Sequence, residues 1–195
     1  MKHPEVTQFA AALIDGANAE MHELPIMGSM YGFDLEQLRL AHKGTNAGTD
    51  DIAGWWQASL SAYRAGKQQQ AYFLLGILLH MVEDMGVPAH ANGVYHQGTL
   101  REFDNFEFLA LSNWKPDFAA IDKTDPAFAD PSAYYAFSKA WTHADAPTYH
   151  DRNSFSKTWI TASAAERTLL RDREARTGTV AAWALNSAYK AFHGS

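Results

Sequence analysis

The chain has 195 residues, of which 47% are hydrophobic and none is cysteine. This length and apolar content suit one domain over residues 1–195 that folds without disulfides or thiol chemistry. The 16 Lys and Arg residues against 22 Asp and Glu residues give a formal net charge of −6. That balance argues against a basic nucleic-acid-binding surface.

Apolar residues recur at spacings of three and four, and no alternating run of β-branched residues lies between turn signals. The sequence therefore predicts an all-α fold, a single-domain bundle of several helices. A long surface loop is predicted over residues 115–131, which contain three prolines. Helices are predicted over residues 4–14, 34–42, 51–65, 68–85, 99–113, 132–142, 154–171 and 173–192.

Neither a membrane span nor a signal peptide is expected. The longest apolar stretch, residues 71–82, is shorter than the roughly 20 residues that a bilayer-spanning helix needs. The first five residues lack the apolar run of a signal peptide. We therefore expect either a cytosolic protein or an exported one whose signal has been removed.

The most apolar predicted helix, residues 68–85, carries two polar side chains four residues apart. His80 and Asp84 project from one face, separated by a single turn. This arrangement suits one metal ion, and it also suits a buried, hydrogen-bonded His–Asp pair. A carboxylate on such a helix is unfavourable unless it is paired or binds a cation.

Further metal-binding side chains follow this helix. His90 comes ten residues after His80, just past the turn at Pro88, and Asp104 and Glu107 lie three apart on the next predicted helix. Imidazoles and carboxylates that converge at one end of a bundle suit zinc, iron or manganese. The alternative is that Asp104 and Glu107 form the solvated face of their helix.

A run of twelve residues within this region has a familiar pattern. The run from Leu79 to His90, LHMVEDMGVPAH, with the later Phe106-Glu107, resembles the signature of bacterial zinc-dependent phospholipases C of the alpha-toxin type. Residues 21–31 and 177–181 resemble other parts of that family, so the likeness touches most of the chain. The related single-strand-specific nucleases share the His and Asp helix, but they carry disulfides, and this chain has no cysteine.

The resemblance implies a helical cleft that binds two or three zinc ions. His80 and Asp84 would join Asp34 and His42 at the first ion, and Asp84 would bridge toward another. The implied metal ligands all carry imidazole or carboxylate groups: His3, Asp34, His42, His80, Asp84, His90, His96, Asp104 and Glu107.

The sequence differs from the family's pattern at the ligands of the second and third zinc ions. Phe103 stands where the family has a His, so the second zinc, held by His90 and Glu107, takes either Asp104 or His96 as well. We favour Asp104, which shares a helix face with Glu107. The third ion would use His3, Asp84 and the N-terminus, where this chain begins Met-Lys-His and the family begins with Trp.

The activity implied by the resemblance is phospholipase C hydrolysis, which releases diacylglycerol and a phosphorylated headgroup. Zinc would acidify a water to form the nucleophile, and Asp34 would orient or deprotonate that water. Tyr31 and Phe33 would offer an aromatic face to a choline cation, whereas Trp55 and Trp56 are favoured as core residues.

The implied partners follow from this activity. Loops such as residues 27–31 would make a transient contact with the membrane surface, and the protein is expected to be a monomer, secreted or periplasmic after loss of its signal. Two alternatives stay open: a nuclease or nucleotidase with the same metal chemistry, and a non-enzymatic helical protein that is stabilised by metal.

Overall fold

The computed structural model describes residues 3–19, 30–32, 49–93, 105–106, 115–121, 123–145, 158 and 160–194. Contacts between Cα atoms divide the chain into two compact units. Unit 1 comprises Met1–Met81, Ala127–Ala133 and Ala184–Ser195, and unit 2 comprises Val82–Pro126 and Tyr134–Trp183. The expectation of one domain stays a prediction.

The all-α prediction is confirmed, because the described residues form helices and contain no strand. None of the described helices is both long and apolar enough to cross a bilayer. The α-helices are α1 (Pro4–Gln8), α2 (Ala10–Ala17), α3 (Thr49–Arg64), α4 (Gln68–Asp84), α5 (Pro88–Ala91), α6 (Ala133–Asp145) and α7 (Ala164–His193). A 3₁₀ turn over Phe118–Ala120 interrupts the otherwise irregular residues 115–121 and 123–131.

The first predicted helix, residues 4–14, is in fact two helices. Phe9 separates α1 from α2 with φ −104° and ψ 18°, outside the helical region. The apolar spacing of residues 4–14 predicts a buried stripe of Val6, Phe9 and Leu13. This prediction is wrong, since all three residues are only half-buried.

A close helix crossing explains which residues of α2 are buried instead. A Cβ atom added to Gly16 would lie 2.0 Å from the carbonyl oxygen of Phe73, and one added to Gly76 would lie 2.2 Å from that of Leu13. The backbones of α2 and α4 therefore touch, and glycine is required at both positions. The buried residues of α2 are therefore Ala12 and Gly16, rather than the larger ones.

Helix α4 forms as predicted and ends one residue earlier than expected. Residues 71–79 are all buried, as the nearly continuous apolar surface of the sequence predicts. Val87 adopts an extended conformation (φ −81°, ψ 125°) before Pro88, because a residue that precedes proline is disfavoured in the helical region. The sequence predicts a loop over residues 90–98 after this turn, but His90 belongs to α5. Pro88 starts α5 at a position where its missing N–H is not needed.

The C-terminal region was predicted as two helices, 154–171 and 173–192, and the structure shows one, α7. Its start is fixed by a capping box: Ser163 N donates to Glu166 Oε2 at 2.6 Å, and Glu166 N donates to Ser163 Oγ at 3.1 Å. Asp172, at the expected break, accepts instead from Arg176 Nε at 3.1 Å, one turn along. This pairing favours a continuous helix through Asp172.

Candidate functional site

The structure describes five of the eleven predicted site residues: His3, Tyr31, His80, Asp84 and His90. The other predicted metal ligands and the second aromatic residue lie outside the described residues: Phe33, Asp34, His42, His96, Asp104 and Glu107.

His80 and Asp84 occupy the last two turns of α4, four residues apart, as the sequence predicts. Both are half-buried, whereas Met81, Val82 and Met85 beside them are buried. An imidazole and a carboxylate thus lie one turn apart on a helix whose surroundings are mostly apolar.

His90 lies within α5, where all four residues are buried, and 9% of its surface is exposed. Asn92 follows α5 directly and donates from Nδ2 to the carbonyl oxygen of Pro88 at 3.0 Å. Asn92 Oδ1 also contacts His143 Nδ1 on α6. These contacts fix the end of α5 and hold the segment that carries His90.

Tyr135 was not predicted as part of the site. This α6 residue is buried, and burial together with the negative charge of Asp84 raises the pKa of its phenol. The carboxylate of Asp84 therefore acts on a buried hydroxyl within unit 2. Tyr135 is one of four aromatic residues of α6, and nothing in the sequence singles it out as the one near Asp84.

The described donors match zinc in their chemistry. Imidazole nitrogen and carboxylate oxygen are both common zinc ligands, and His80, Asp84 and His90 supply them from half-buried or buried positions. Among the residues that the structure describes, no three His, Asp or Glu side chains are grouped to hold a metal ion. The predicted ligand set extends into segments outside the described part.

His3 lies at the start of α1 in unit 1. Its Nε2 is 3.3 Å from Asn186 Oδ1, and its ring stacks on Tyr189 with centroids 3.9 Å apart. These contacts fix the imidazole against the C-terminal end of α7. The predicted role of His3 at a third zinc stays a prediction, and residues 1–2 lie outside the described part.

Tyr31 is held firmly in unit 1. Its hydroxyl donates to Asp15 Oδ2 at 2.6 Å, its ring stacks on Phe73 at 4.5 Å, and its carbonyl oxygen accepts from Gln70 Nε2 at 2.6 Å. Burial and the Asp15 carboxylate raise the pKa of Tyr31 to about 12. Trp55 and Trp56 are buried, which agrees with the preference for a core role.

Sequence reasoning also missed a cluster around Glu5 in unit 1. Its carboxylate accepts from Tyr63 OH at 3.1 Å and from Tyr72 OH at 3.3 Å, and His193 Nε2 lies 3.0 Å away. Burial and Glu5 raise the pKa of Tyr63 to about 12 and that of Tyr72 further. The partners are far apart in the sequence, so no local pattern predicts the cluster.

Charged groups of α7 and of the segment before α6 meet an aromatic ring in unit 2. Lys123 Nζ and Arg176 Cζ lie 4.4 Å and 4.5 Å from the centroid of the buried Trp141 ring. Arg173 is 1% exposed, donates to Thr142 Oγ1 at 3.1 Å and pairs with Asp172 at 3.4 Å. Burial lowers the pKa of Arg173 despite the Asp172 carboxylate. These interactions join α6 to α7.

Comparisons with protein-family models, with curated protein sequences and with solved structures found no match to this chain.

Proposed function

We propose that this protein is a zinc-dependent phosphodiester hydrolase, with phospholipase C activity on a choline phospholipid as its specific reaction. One observation carries the proposal: His80 and Asp84 lie one turn apart at the end of the apolar helix α4, and the turn at Pro88 leads directly to the buried His90. The type and order of these donors suit a metal centre.

Burial supports a metal more than an incidental polar pair. Residues 81, 82, 85 and 86 around Asp84 are buried, and an ionised carboxylate in such surroundings is stabilised by a cation or by strong hydrogen bonds. A structural His80–Asp84 pair accounts for two of the three polar groups.

The chain's own residues have separate roles in the proposed reaction. His80, Asp84 and His90 hold metal, and Asp34 orients a water for attack on phosphorus or accepts its proton. Bound zinc supplies positive charge for the phosphate oxygens and acidifies water. The aromatic ring of Tyr31 contributes to binding the choline cation.

The neighbourhood of Tyr31 supports contact with a lipid surface. Two apolar residues near Tyr31 are exposed to solvent. Met30 comes directly before Tyr31 and is 75% exposed; Ile14 comes directly before Asp15, which binds the Tyr31 hydroxyl, and is 56% exposed. Two exposed apolar side chains next to a fixed tyrosine suit a weak, reversible attachment at a membrane interface.

Zinc content per chain tests the metal centre. After equilibration with zinc and removal of the excess, we expect mass spectrometry to find two or three zinc ions per wild-type chain. Asp84→Asn should bind at least one zinc ion fewer, because the asparagine side chain has nearly the same shape as aspartate but lacks the negative charge of the ligand. Glu83→Gln is the matched control, because it neutralises the adjacent carboxylate of α4 and should retain the full zinc content.

Activity assays separate the substrate classes. The zinc-loaded wild type should hydrolyse phosphatidylcholine vesicles in preference to single-stranded DNA, and Asp84→Asn should lose most of this turnover. A preference for DNA would contradict the proposed phospholipase activity and favour a nuclease with the same metal chemistry. A wild type that binds no zinc would contradict the hydrolase altogether and leave His80 and Asp84 as a structural pair.

A further inference from the structure

Glu174, in the middle of α7, is a buried carboxyl group with one oxygen that has no donor. Only 3% of its surface is exposed. Oε2 accepts from the backbone N–H of Lys115 at 3.0 Å, whereas the buried Oε1 has no hydrogen-bond partner within the described residues. An ionised carboxylate is unfavourable here, because burial removes water from an oxygen that no other group solvates. A proton on Glu174 removes the charge and most of this cost.

The charged groups near Glu174 compensate its negative charge only in part. On α7, Arg171 favours the ionised form, but its side chain is exposed. On the facing segment, Lys115 contributes its backbone N–H, and the carboxylate of Asp117 accepts from a backbone N–H of its own 3₁₀ turn. Among the residues that the structure describes, neither Arg171 nor Lys115 forms an ion pair with Glu174. Burial therefore prevails and raises the pKa of the Glu174 carboxyl above its ordinary value.

The segment of residues 115–121 is held on α7 at two points, one turn apart. Glu174 binds the backbone of Lys115, and a Cβ atom at Gly178 would lie 2.9 Å from Cε1 of Phe118, so this ring rests directly on the helix backbone. Phe118 is nevertheless 55% exposed, and the segment is irregular apart from a 3₁₀ turn of three residues. Helix α7, by contrast, has 30 residues. The short irregular segment is therefore the part that moves when the two elements separate.

We propose that Glu174 is a pH-sensitive latch: in its protonated form it holds the 115–121 segment on α7, and loss of the proton to solvent releases that segment. Glu174 lies between the buried residues Arg173 and Ala175, so the helix itself cannot carry the carboxylate into water. The ionised group gains hydration at Oε1 when the covering segment lifts away. The stronger hydrogen bond that an ionised carboxylate accepts from Lys115 N does not replace this hydration.

Hydrogen–deuterium exchange of the full chain, followed by mass spectrometry, tests the latch. Protection factors of the 115–121 segment, corrected for the intrinsic pH dependence of amide exchange, are measured from about pH 4 to about pH 8. In the wild type we expect them to fall at least about tenfold over this range, because ionisation of Glu174 opens the segment. Peptides from the buried middle of α4 serve as the internal reference and should keep their protection.

Glu174→Gln isolates the contribution of this one carboxyl group. Its side chain is neutral at every pH, and its amide oxygen can still accept from Lys115 N, so the segment should stay protected throughout the range. Glu166→Gln is the control: it neutralises a carboxylate of the same helix, keeps the capping pattern, and should show the wild-type fall in protection. Constant protection in the wild type, or an equal fall in Glu174→Gln, would overturn the latch.

Glu174→Met provides a second test if Glu174→Gln does not fold, with circular dichroism as the check of folding. Methionine is similar in length but offers no strong acceptor to Lys115 N, so the segment should exchange rapidly at both ends of the pH range. Protection in Glu174→Met equal to that of the wild type at about pH 4 would overturn the latch. All residues of the latch belong to unit 2, and its readout involves neither zinc nor turnover, so it stands or falls independently of the proposed hydrolase.

Discussion

Glu5 of unit 1 and Glu174 of unit 2 are both largely removed from solvent, yet their surroundings differ. Glu5 is 21% exposed, and its two oxygens are engaged by two tyrosine hydroxyls and by His193. Glu174 is 3% exposed and, among the residues that the structure describes, accepts from one backbone N–H. The more accessible carboxylate is thus the better satisfied of the two.

This contrast separates a structural carboxylate from an available one. Three groups that already contact Glu5 come from α3, α4 and α7, so its charge is used to join helices. The unused oxygen of Glu174 adds nothing to folding as it stands and is unfavourable while it lacks a partner. A site for a ligand is expected where such an oxygen persists.

The largest expected effect is the loss of stability in Glu5→Ala. Removing the carboxylate leaves the hydroxyl of the fully buried Tyr72 without its acceptor and leaves that of Tyr63 only His193 Nε2, 3.4 Å away. We therefore expect a loss of about 2–3 kcal/mol in the free energy of unfolding. Urea unfolding followed by circular dichroism measures it. Glu5→Gln retains an acceptor oxygen, so its loss of unfolding free energy should be roughly half that of Glu5→Ala. A loss below about 0.5 kcal/mol in Glu5→Ala would contradict the structural role of Glu5 that distinguishes it from Glu174.

The fold was predictable where one local signal dominated. Helix α4 follows from its continuous apolar surface and from Pro88, and its observed end at Asp84 lies one residue from the predicted end. The break predicted at Asp172 is absent because its carboxylate pairs with Arg176 one turn along α7. The buried face of α2 was mispredicted because a glycine crossing with α4 selects small residues.

The candidate site was predictable only where its residues share an element. Spacing alone placed His80 and Asp84 on α4, and it placed His90 just past the turn at Pro88 without predicting the short helix α5. Tyr135 and Glu174 lie on α6 and α7, and their relevant contacts are made across the tertiary structure, such as the bond from Lys115 N to Glu174 over 59 residues. No periodicity in the sequence encodes such contacts.

A smaller effect is expected from the pH dependence of metal-free Glu174→Gln. Burial raises the pKa of Glu174 in the folded state above its ordinary value, and the Lys115 N–H and Arg171 only partly oppose this. The folded wild type therefore binds the proton more tightly than the unfolded chain does, and its stability falls as the pH rises through the folded pKa.

Glu174→Gln lacks this titration, so its stability relative to that of the wild type should improve as the pH rises from 4 to 8. Urea unfolding in the presence of a chelator measures the difference at each pH. For Glu166→Gln, the stability relative to that of the wild type should not improve as the pH rises. A wild type that becomes more stable than Glu174→Gln as the pH rises would mean that the Glu174 carboxylate is satisfied in the folded protein, as that of Glu5 is.

The smallest effect is expected from His193→Gln. The side chain of His193 is 36% exposed, and solvent screens an ion pair at such a position, so we expect a loss below about 1 kcal/mol in the free energy of unfolding. Tyr63 and Tyr72 still donate to Glu5 in this variant, which keeps both carboxylate oxygens engaged. Lys190→Gln, which removes a cation from the same exposed end of α7, is the control for charge. A loss in His193→Gln as large as that in Glu5→Ala would show that the ion pair, rather than the two tyrosine hydroxyls, gives Glu5 its structural role.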